Sequence, residues 1–375
     1  MRLLLSFVGG LGHLAPLLPI ARAARDAGHE VAVAGSGGLV AGIEDLGFTA
    51  YPTSEARHHS GVDQERGPLE VMDARATEIE FAANFADRGA RRMAAAMPDV
   101  VRDFGPDLVL RDETDLGTTI AAEVLGVPVA THLVLASGML ARPGLVAPAL
   151  DVVRAEHGLA PDPHLAALTS GLVLSDAPPS FRSPRAPLRV TPLHYRSTDA
   201  PRPAPRTRPG VYVTLGTIFN GGSGDLFERL LEGLAALDVD VVATVGRGIA
   251  PADLGPQPAH VRVERFVPQA EVLPTVDLVV SHGGSGSLVA ALAHGLPSLL
   301  VPLGADQPHN ASRAVGLGLA DRLDAATLTP AEVAERAAVL LAEGRVRERC
   351  RAVAAEVAAL PDATAAVAAL ETAAR

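Results

Sequence analysis

The 375-residue sequence has no lysine, no tryptophan and a single cysteine, and aromatic residues make up only 3% of it. Without lysine, the chain can form neither a Walker-type phosphate loop nor a pyridoxal Schiff base, and it has no lysine general base. One cysteine, Cys350, excludes an internal disulfide framework and a thiolate zinc site. These absences remove several enzyme classes and are typical of a cytoplasmic protein.

Long apolar runs and excess positive charge are also missing. No run approaches the roughly 18 apolar residues of a membrane span, and no signal-peptide cleavage pattern follows the first strand-like stretch, MRLLLSFVGG. The formal net charge of −11 disfavours nucleic-acid binding, which rewards a basic surface. We therefore expect no nucleic-acid partner and no stable membrane association.

What the sequence does contain is a regular alternation of short apolar strands with helix-like segments, which indicates α/β architecture with parallel sheets. In the first half, strands are predicted over 3–8, 31–35, 107–112 and 127–134, and helices over 14–27, 75–104 and 115–125. In the second half, strands are predicted over 210–216, 239–245, 260–267, 277–282 and 297–303, and helices near 286–294, 310–316, 330–343 and 346–358.

Two stretches interrupt this alternation. Residues 52–67, rich in His, Gly and charge, are predicted to form a long loop. Residues 177–209 are dense in Pro and Arg and are predicted to form a semi-extended interdomain linker. We therefore predict a first domain over residues 1–200 and a second over residues 201–360. A C-terminal helix over residues 361–375 is expected to pack back on the first domain.

The turn after the first strand, GGLGHLAP, admits two interpretations. It matches the dinucleotide fingerprint G-x-G-x-x-A, but the second strand ends without the acidic residue that a nicotinamide ribose needs. Alternatively, His13 lies at the carboxyl edge of the sheet as a general base, oriented by Asp112 at the end of another strand. A capping His13 and an N-cap Asp112 stay open, since Asp115 competes for the cap and Glu113 for the catalytic role.

The second half places four polar features at strand ends, which parallel strands would bring to one edge of a sheet. The strand–glycine turn–helix pattern around SHGGSGS presents backbone N–H groups to an anion, and His282 adds a hydrogen bond. The acceptors of an Asp-Gln pair suit the hydroxyls of a sugar. The four features are Gly216-Thr217, Val267-Pro268-Gln269, His282 with its glycines, and Asp306-Gln307.

These motifs together resemble the bacterial branch of the family-1 glycosyltransferases, which act on natural-product aglycones with nucleotide-diphosphate sugars. The resemblance covers nearly the whole chain and is carried by GHLAPLLPIARAARDAGHEV, DLVLRD, VTLGT, FVPQ, HGGSGS and GADQPHNA. It implies the GT-B fold, in which two Rossmann-like, doubly wound domains face a central cleft. The first would bind the acceptor and the second the nucleotide-sugar donor.

The resemblance also implies roles for individual residues. His13 matches the catalytic base and Asp112 its orienting carboxylate. The residues that match donor ligands are Gly12, Thr217, Val267, His282, Gly284, Ser285, Gly286, Ser287, Asp306 and Gln307. For the acceptor, Phe81, Phe85 and Met139 are candidate wall residues, with Met93 and Leu140 beside them. Because apolar residues at helical spacing are common in cores, a core position is the competing interpretation.

One departure from the plant relatives bears on the donor. Plant members of the same family hold the ribose with a Glu after the glycine turn, and this chain has Ala290 at that position. The tryptophan that the plant members have before Pro-Gln is also absent. Losing that acceptor favours a dTDP-sugar over a UDP-sugar. The expected function is an inverting transfer of a (deoxy)sugar from a dTDP-sugar to an aglycone hydroxyl, with no metal and no cofactor beyond the donor.

Three alternatives remain at this stage. The first two share the fold: a nucleotide-sugar epimerase and a lipid-linked sugar transferase. The third is a non-catalytic partner of another transferase, which the retention of His13, Asp112 and His282 disfavours. A homodimer is left open.

Overall fold

The computed structural model describes residues 1–56, 67–197, 206–216 and 219–375. These residues form two compact units. Unit 1 contains residues 1–56, 78–197 and 360–375, and unit 2 contains residues 67–77, 206–216 and 219–359. Most of the predicted loop over 52–67 lies outside the described residues.

Unit 1 is built on a seven-stranded, all-parallel sheet with the order β3-β2-β1-β4-β5-β6-β7. Its central strands are almost continuous apolar runs, which is typical of a parallel sheet covered on both faces. The strands are β1 (Arg2–Ser6), β2 (Glu30–Gly35), β3 (Thr49–Pro52), β4 (Leu108–Asp112), β5 (Val129–Leu133), β6 (Val173–Ser175) and β7 (Leu193–His194).

The helices of unit 1 cover both faces of this sheet. They are α1 (Leu11–Leu14), α2 (Leu18–Asp26), α3 (Val40–Asp45), α4 (Ala74–Phe81), α5 (Ala90–Phe104), α6 (Leu116–Leu125), α7 (Pro143–Glu156), α8 (Ala166–Thr169) and, at the C-terminus, α15 (Ala363–Ala373). Val367 and Leu370 of helix α15 pack into a core cluster together with residues of α2, β1 and β2.

The helices of the first half differ from the sequence predictions at several places. The predicted helix 14–27 is divided between α1 and α2 by a 3₁₀ turn, because Pro16 and Pro19 each occupy the start of a new helical segment. The predicted helix 75–104 contains a π-helical stretch, Ala82–Gly89. Helix α7 was not predicted, and it contains Pro143 at its first position and Pro148 inside.

The predicted linker over 177–209 is wrong for its described first part. Strand β7 pairs in parallel with β6, and the side chains of Phe181 and Tyr195 have no exposed surface. Residues 177–197 therefore belong to the sheet and core of unit 1. Residues 198–205 lie outside the described residues.

Unit 2 has a six-stranded, all-parallel sheet with the order β10-β9-β8-β11-β12-β13. Its strands are β8 (Gly210–Thr214), β9 (Asp240–Thr244), β10 (Val261–Glu264), β11 (Leu278–Ser281), β12 (Ser298–Leu300) and β13 (Ala320–Arg322). Its helices are α9 (Leu226–Ala235), α10 (Gln269–Val272), α11 (Ser285–Ala293), α12 (Gln307–Gly316), α13 (Pro330–Ala342) and α14 (Gly344–Ala358).

A short segment from the first half of the chain, residues 67–73, belongs to unit 2. The backbone N–H of Gly67 donates to the carbonyl of Gly221 at 2.8 Å, and that of Met72 donates to the carbonyl of Leu303 at 2.8 Å. Among the helices of the described residues, none is long and apolar enough to span a membrane.

Candidate active site

In unit 1, the candidate site forms where two neighbouring strands end. Strands β1 and β4 pair in parallel, with Ser6 opposite Arg111, so the turns that follow them lie side by side at the carboxyl edge of the sheet. The first turn leads into α1, which carries His13, and β4 ends at Asp112. The structure thus brings together two residues that are 99 positions apart in the sequence.

His13 and Asp112 meet with Thr114 between them. The Nδ1 atom of His13 lies 3.4 Å from Oδ2 of Asp112 and 3.1 Å from the hydroxyl of Thr114, which donates to Oδ1 of Asp112 at 2.6 Å. If the hydroxyl proton points to Asp112, Thr114 accepts the Nδ1–H of His13. That tautomer leaves Nε2 as an acceptor.

The Asp112 carboxylate has no exposed surface and is held by backbone donors. The N–H groups of Val8 and Asp115 donate to it at 3.1 and 3.0 Å, and that of Thr114 donates as well. Burial alone would raise the pKa of Asp112, but the charge of His13 and the hydrogen bonds from His13 and Thr114 outweigh it and lower the pKa below its usual value. Asp112 is therefore a buried, ionised carboxylate.

Two acidic neighbours that compete with Asp112 have other tasks. Glu113 accepts from the backbone N–H groups of Val134 and Leu135 at 3.2 and 3.1 Å, which anchors the end of β5. Asp115 is the N-cap of α6 and accepts from the N–H of Thr118 at 3.1 Å. The geometry assigns the cap to Asp115 and leaves Asp112 facing His13.

The residues proposed for the acceptor wall differ in their surroundings. The ring of Phe85, in the π-helical stretch, lies 5.5 Å from the His13 ring between centroids, and Phe81 stacks on Phe85 at 4.8 Å. Phe81 and Met139 are almost fully buried, and Met93 has no exposed surface. Phe85 is the member of this set that borders His13, whereas Met93 belongs to the core.

In unit 2, the second candidate site surrounds His282, which follows β11. Positions 216 and 284 flank the imidazole so closely that a Cβ atom at either would lie 2.6 Å from Nε2. Glycine is needed at both for this ring position, and Gly216 also has a φ of +77°. Thr217, the other predicted ligand here, lies outside the described residues.

Burial lowers the pKa of His282 to about 4, so the ring is neutral at neutral pH. Its Nδ1 atom is buried. The ring is adjacent to the first turn of α11, where the N–H groups of Gly286 and Ser287 have no acceptor within the helix. This is a compact, uncharged set of donors suited to an anion.

The Asp-Gln pair at the start of α12 has partners inside unit 2. Oδ2 of Asp306 accepts from the N–H of Ser285 at 3.2 Å, from its hydroxyl, and from the side-chain amide of Asn310 at 2.8 Å. Oε1 of Gln307 accepts from the N–H groups of Leu303 and Gly304 at 2.7 and 3.1 Å. Asp306 and Asn310 therefore join the start of α12 to the start of α11.

The last element of this site is the turn between β10 and α10. Val267 is partly buried against the core cluster around Tyr212, and Gln269 donates to the hydroxyl of Ser287 at 3.0 Å. Phe266, which the sequence analysis did not select, is 71% exposed. Its ring is the largest of the exposed apolar side chains among the described residues.

Some residues of the two sites carry little sequence signal. Thr114 and Arg111 are ordinary residues beside a strand end, and only the fold shows that they contact the turn of Asp112. Asn310 could have been selected, because its spacing of four from Asp306 in GADQPHNA places both on one helix face. Gly12 is exposed in α1, and no atom lies within 4 Å of where its Cβ would be.

Comparisons with known proteins show the family to which the chain belongs. Residues 228–373 match the family model described as "Erythromycin biosynthesis protein CIII-like, C-terminal domain". The chain is 32% identical over 335 residues to the L-demethylnoviosyl transferase of Streptomyces niveus, with 85% of this chain and 84% of the relative covered.

Two solved structures are similar over essentially the full length. They are the glycosyltransferase SnogD from Streptomyces nogalater (TM-score 0.77, 28% identity) and the glycosyltransferase VinC in complex with dTDP (TM-score 0.76, 26% identity), each covering 100% of this chain and 99% of the known one. The fold is therefore GT-B, and the protein is a glycosyltransferase. More specifically, the chain belongs to the bacterial family-1 glycosyltransferases of natural-product biosynthesis, which confirms the resemblance seen in the sequence.

Proposed function

We propose that this enzyme transfers a deoxysugar from a dTDP-sugar to a hydroxyl group of a natural-product aglycone, with inversion at the anomeric carbon and with His13 as the base. The observation that carries the proposal is the arrangement of His13, Thr114 and Asp112 at the carboxyl edge of the first sheet. Two comparisons support it: a relative is named for transfer of a demethylnoviosyl group, and a similar glycosyltransferase binds dTDP.

The chemistry assigned to unit 1 is proton abstraction. The acceptor hydroxyl gives its proton to Nε2 of His13 while its oxygen attacks the anomeric carbon and displaces the diphosphate from the opposite face. The ring then carries a positive charge, which the buried Asp112 carboxylate 3.4 Å away stabilises. Phe85 would form one wall of the acceptor site beside His13, with Phe81 supporting it.

The chemistry assigned to unit 2 is stabilisation of the leaving group. The electron pair of the breaking C–O bond passes to dTDP, and His282 with the N–H groups of Gly286 and Ser287 would bind the diphosphate. Since Ser285 already donates its N–H to Asp306, these two N–H groups are the ones assigned to the phosphates. Among the described residues, no group of three His, Cys, Asp or Glu could hold a metal ion, and metal-independent transfer stays a prediction.

The rest of the donor would extend along the same strand ends. Phe266 offers an exposed ring for stacking with thymine, and the backbone of Val267 offers polar groups to its edge. At Ala290 there is no acceptor for a ribose 2′-hydroxyl, which a deoxyribose lacks. Asp306 would bind a sugar hydroxyl through its second oxygen, Oδ1, and Gln307 through its amide nitrogen.

The proposal is tested with His13→Ala and, as a matched control, His164→Ala at an exposed position. Each variant is incubated with dTDP-deoxysugars and a panel of aglycones, and both glycoside and released dTDP are measured by mass spectrometry. We expect transfer by His13→Ala to fall by about 10²–10⁴-fold, the usual contribution of a general base, while dTDP binding persists. Transfer near the wild-type rate in His13→Ala would show that the base is another group.

A further inference from the structure

Arg111, the residue before Asp112 in β4, is a buried cation that the proposed mechanism does not use. Its side chain has no exposed surface. A buried charge is costly unless it is well paired and hydrogen-bonded, and well-packed apolar residues often replace such groups at no loss of stability. Packing alone therefore does not account for an arginine at this position.

The guanidinium contacts the turn that carries Asp112 through main-chain oxygens. Nη1 donates to the carbonyls of Asp112 at 2.9 Å, Glu113 at 3.2 Å and Asp115 at 3.3 Å. Nη2 donates to the carbonyl of Leu168, at the end of α8, at 2.8 Å. One planar group thus binds three carbonyls of a single turn and ties them to a separate helix.

The same turn carries three buried acidic residues. Arg111 interacts electrostatically with Asp115, Asp112 and Glu113, all three buried. Glu113 also faces Arg182 at 3.5 Å. On β5, His132 lies opposite Asp112 and interacts electrostatically with it and with Asp176. Arg111 differs from Arg182 in that it binds the main-chain carbonyls of the turn and not a side chain.

We propose that Arg111 is a positioning residue for the base: by holding the carbonyls of residues 112, 113 and 115, it fixes the Asp112 carboxylate against His13. This inference rests on the proposed function, because it assigns Arg111 to the same proton abstraction. Arg111 lies behind the turn and touches no substrate. Its effect passes through Asp112.

The ionisation of His13 gives a direct test that needs no acceptor. In the full-length protein labelled with ¹³C-histidine, the signal of His13 is assigned from its loss in His13→Gln, and its titration midpoint is followed by NMR. Asp112→Asn should lower this midpoint, because it removes the carboxylate that stabilises the imidazolium. We expect Arg111→Met to lower it as well, since the carboxylate no longer faces the ring.

The other outcomes overturn the inference. An unchanged midpoint in Arg111→Met means that Arg111 is only structural. A raised midpoint means that Arg111 acts merely as a nearby positive charge, whose loss favours protonation. Arg111→Lys keeps the charge but not the planar group, so a wild-type midpoint in that variant equally overturns the positioning role. This variant carries the test if Arg111→Met does not fold.

Arg154 provides a matched control in the same unit. It is also buried and is held by Glu123 at 2.8 Å and by the carbonyl of Ala160 at 2.8 Å. Arg154→Met should lower the melting temperature and leave the His13 midpoint unchanged. With substrates, Arg111→Met should lower kcat by about tenfold or more, with an unchanged KM for the donor.

A double-mutant cycle separates this inference from the proposed function. In the Asp112→Asn background, Arg111→Met should cost no further activity, because both substitutions remove the same interaction. Full activity of His13→Ala would remove the assignment of His13 as the base, and with it the role of Arg111. Loss of activity in His13→Ala together with a normal Arg111→Met removes only the role of Arg111.

Discussion

The position of His282 can be tested by adding one carbon atom. At residue 284 a Cβ would lie 2.6 Å from Nε2 of His282, whereas ordinary contacts begin at 3.4 Å. Gly284→Ala therefore forces the ring to move by about 0.8 Å, the difference between these two distances. The backbone at Gly284 has φ −61° and ψ 146°, which alanine adopts freely, so the effect on the ring is steric. The substitution acts on His282 and not on the backbone turn.

The expected loss is that of one charge-assisted hydrogen bond to the diphosphate, about 1.5–3 kcal/mol. That corresponds to roughly a ten- to hundredfold weaker Kd for dTDP. Alanine is also a poorer N-cap for α11 than glycine, which lowers overall stability by about 1 kcal/mol or less. Isothermal titration calorimetry with dTDP gives the Kd, and thermal melts measure the stability loss separately.

Two results would refute this reasoning. A Kd for Gly284→Ala within twofold of wild type would mean that the ring position is unimportant for binding. In the double variant with His282→Ala, the cost of Gly284→Ala should disappear, because alanine at 282 leaves nothing to displace. A double variant that binds dTDP much more weakly than His282→Ala alone would place the clash on the phosphates instead.

Four further predictions concern acidic residues and His282. Asp112→Asn should lower kcat by about a hundredfold or more, whereas Glu113→Gln should lower the melting temperature and preserve most of the kcat of the folded enzyme. Burial and the charge of Asp112 raise the pKa of Asp115 to about 6. The protonated carboxyl therefore stabilises the fold fully below pH 4, and this contribution is lost as the pH rises through 6. The free energy of unfolding of Asp115→Asn, relative to wild type, should increase by up to about 3 kcal/mol between pH 4 and 8. Asp362, an exposed N-cap whose pKa the hydroxyl and N–H of Thr364 lower, should show the opposite sign in melts of Asp362→Asn, a loss at pH 7 that vanishes in acid. Wild type should take up more protons on binding dTDP at pH 5–6 than His282→Ala does, because a bound anion raises the pKa of His282 from about 4. Calorimetry in buffers of different ionisation enthalpy measures this proton uptake. Equal uptake in the two proteins would contradict the assignment of His282 to the diphosphate.

Much of the fold could be predicted from the sequence because long, buried parallel strands leave a strong signal. The predicted strands β1, β2, β4 and β5 agree with the structure within two residues at each end. Strands β3, β6, β7 and β13 were missed. They contain two to four residues each and form because a neighbouring strand offers hydrogen-bond partners, which no local pattern encodes. The same tertiary pairing explains why β7 exists inside a Pro- and Arg-rich stretch.

The residues of the two candidate sites also differ in whether the sequence could predict them. A polar residue that ends a parallel strand or begins the next helix is predictable in place, and so the sequence could select His13, Asp112, His282 and Asp306. The residues that hold these groups in position could not be selected in this way. Thr114 acts through a hydroxyl that lies between two side chains, and the role of Arg111 depends on the path of four main-chain carbonyls.

The two histidines show why one fold can place the same side chain in opposite roles. His13 faces a carboxylate that is buried, ionised and held by three backbone N–H groups, so protonation of the ring is stabilised where a base must gain a proton. His282 has no carboxylate in hydrogen-bond contact among the described residues, and burial keeps its ring neutral until an anion arrives. A carboxylate beside His282 would repel a diphosphate, and an apolar pocket around His13 would weaken it as a base. The buried acidic residues at the end of β4 and the glycines around His282 are therefore not interchangeable: each creates the local potential that its own step of the proposed transfer requires.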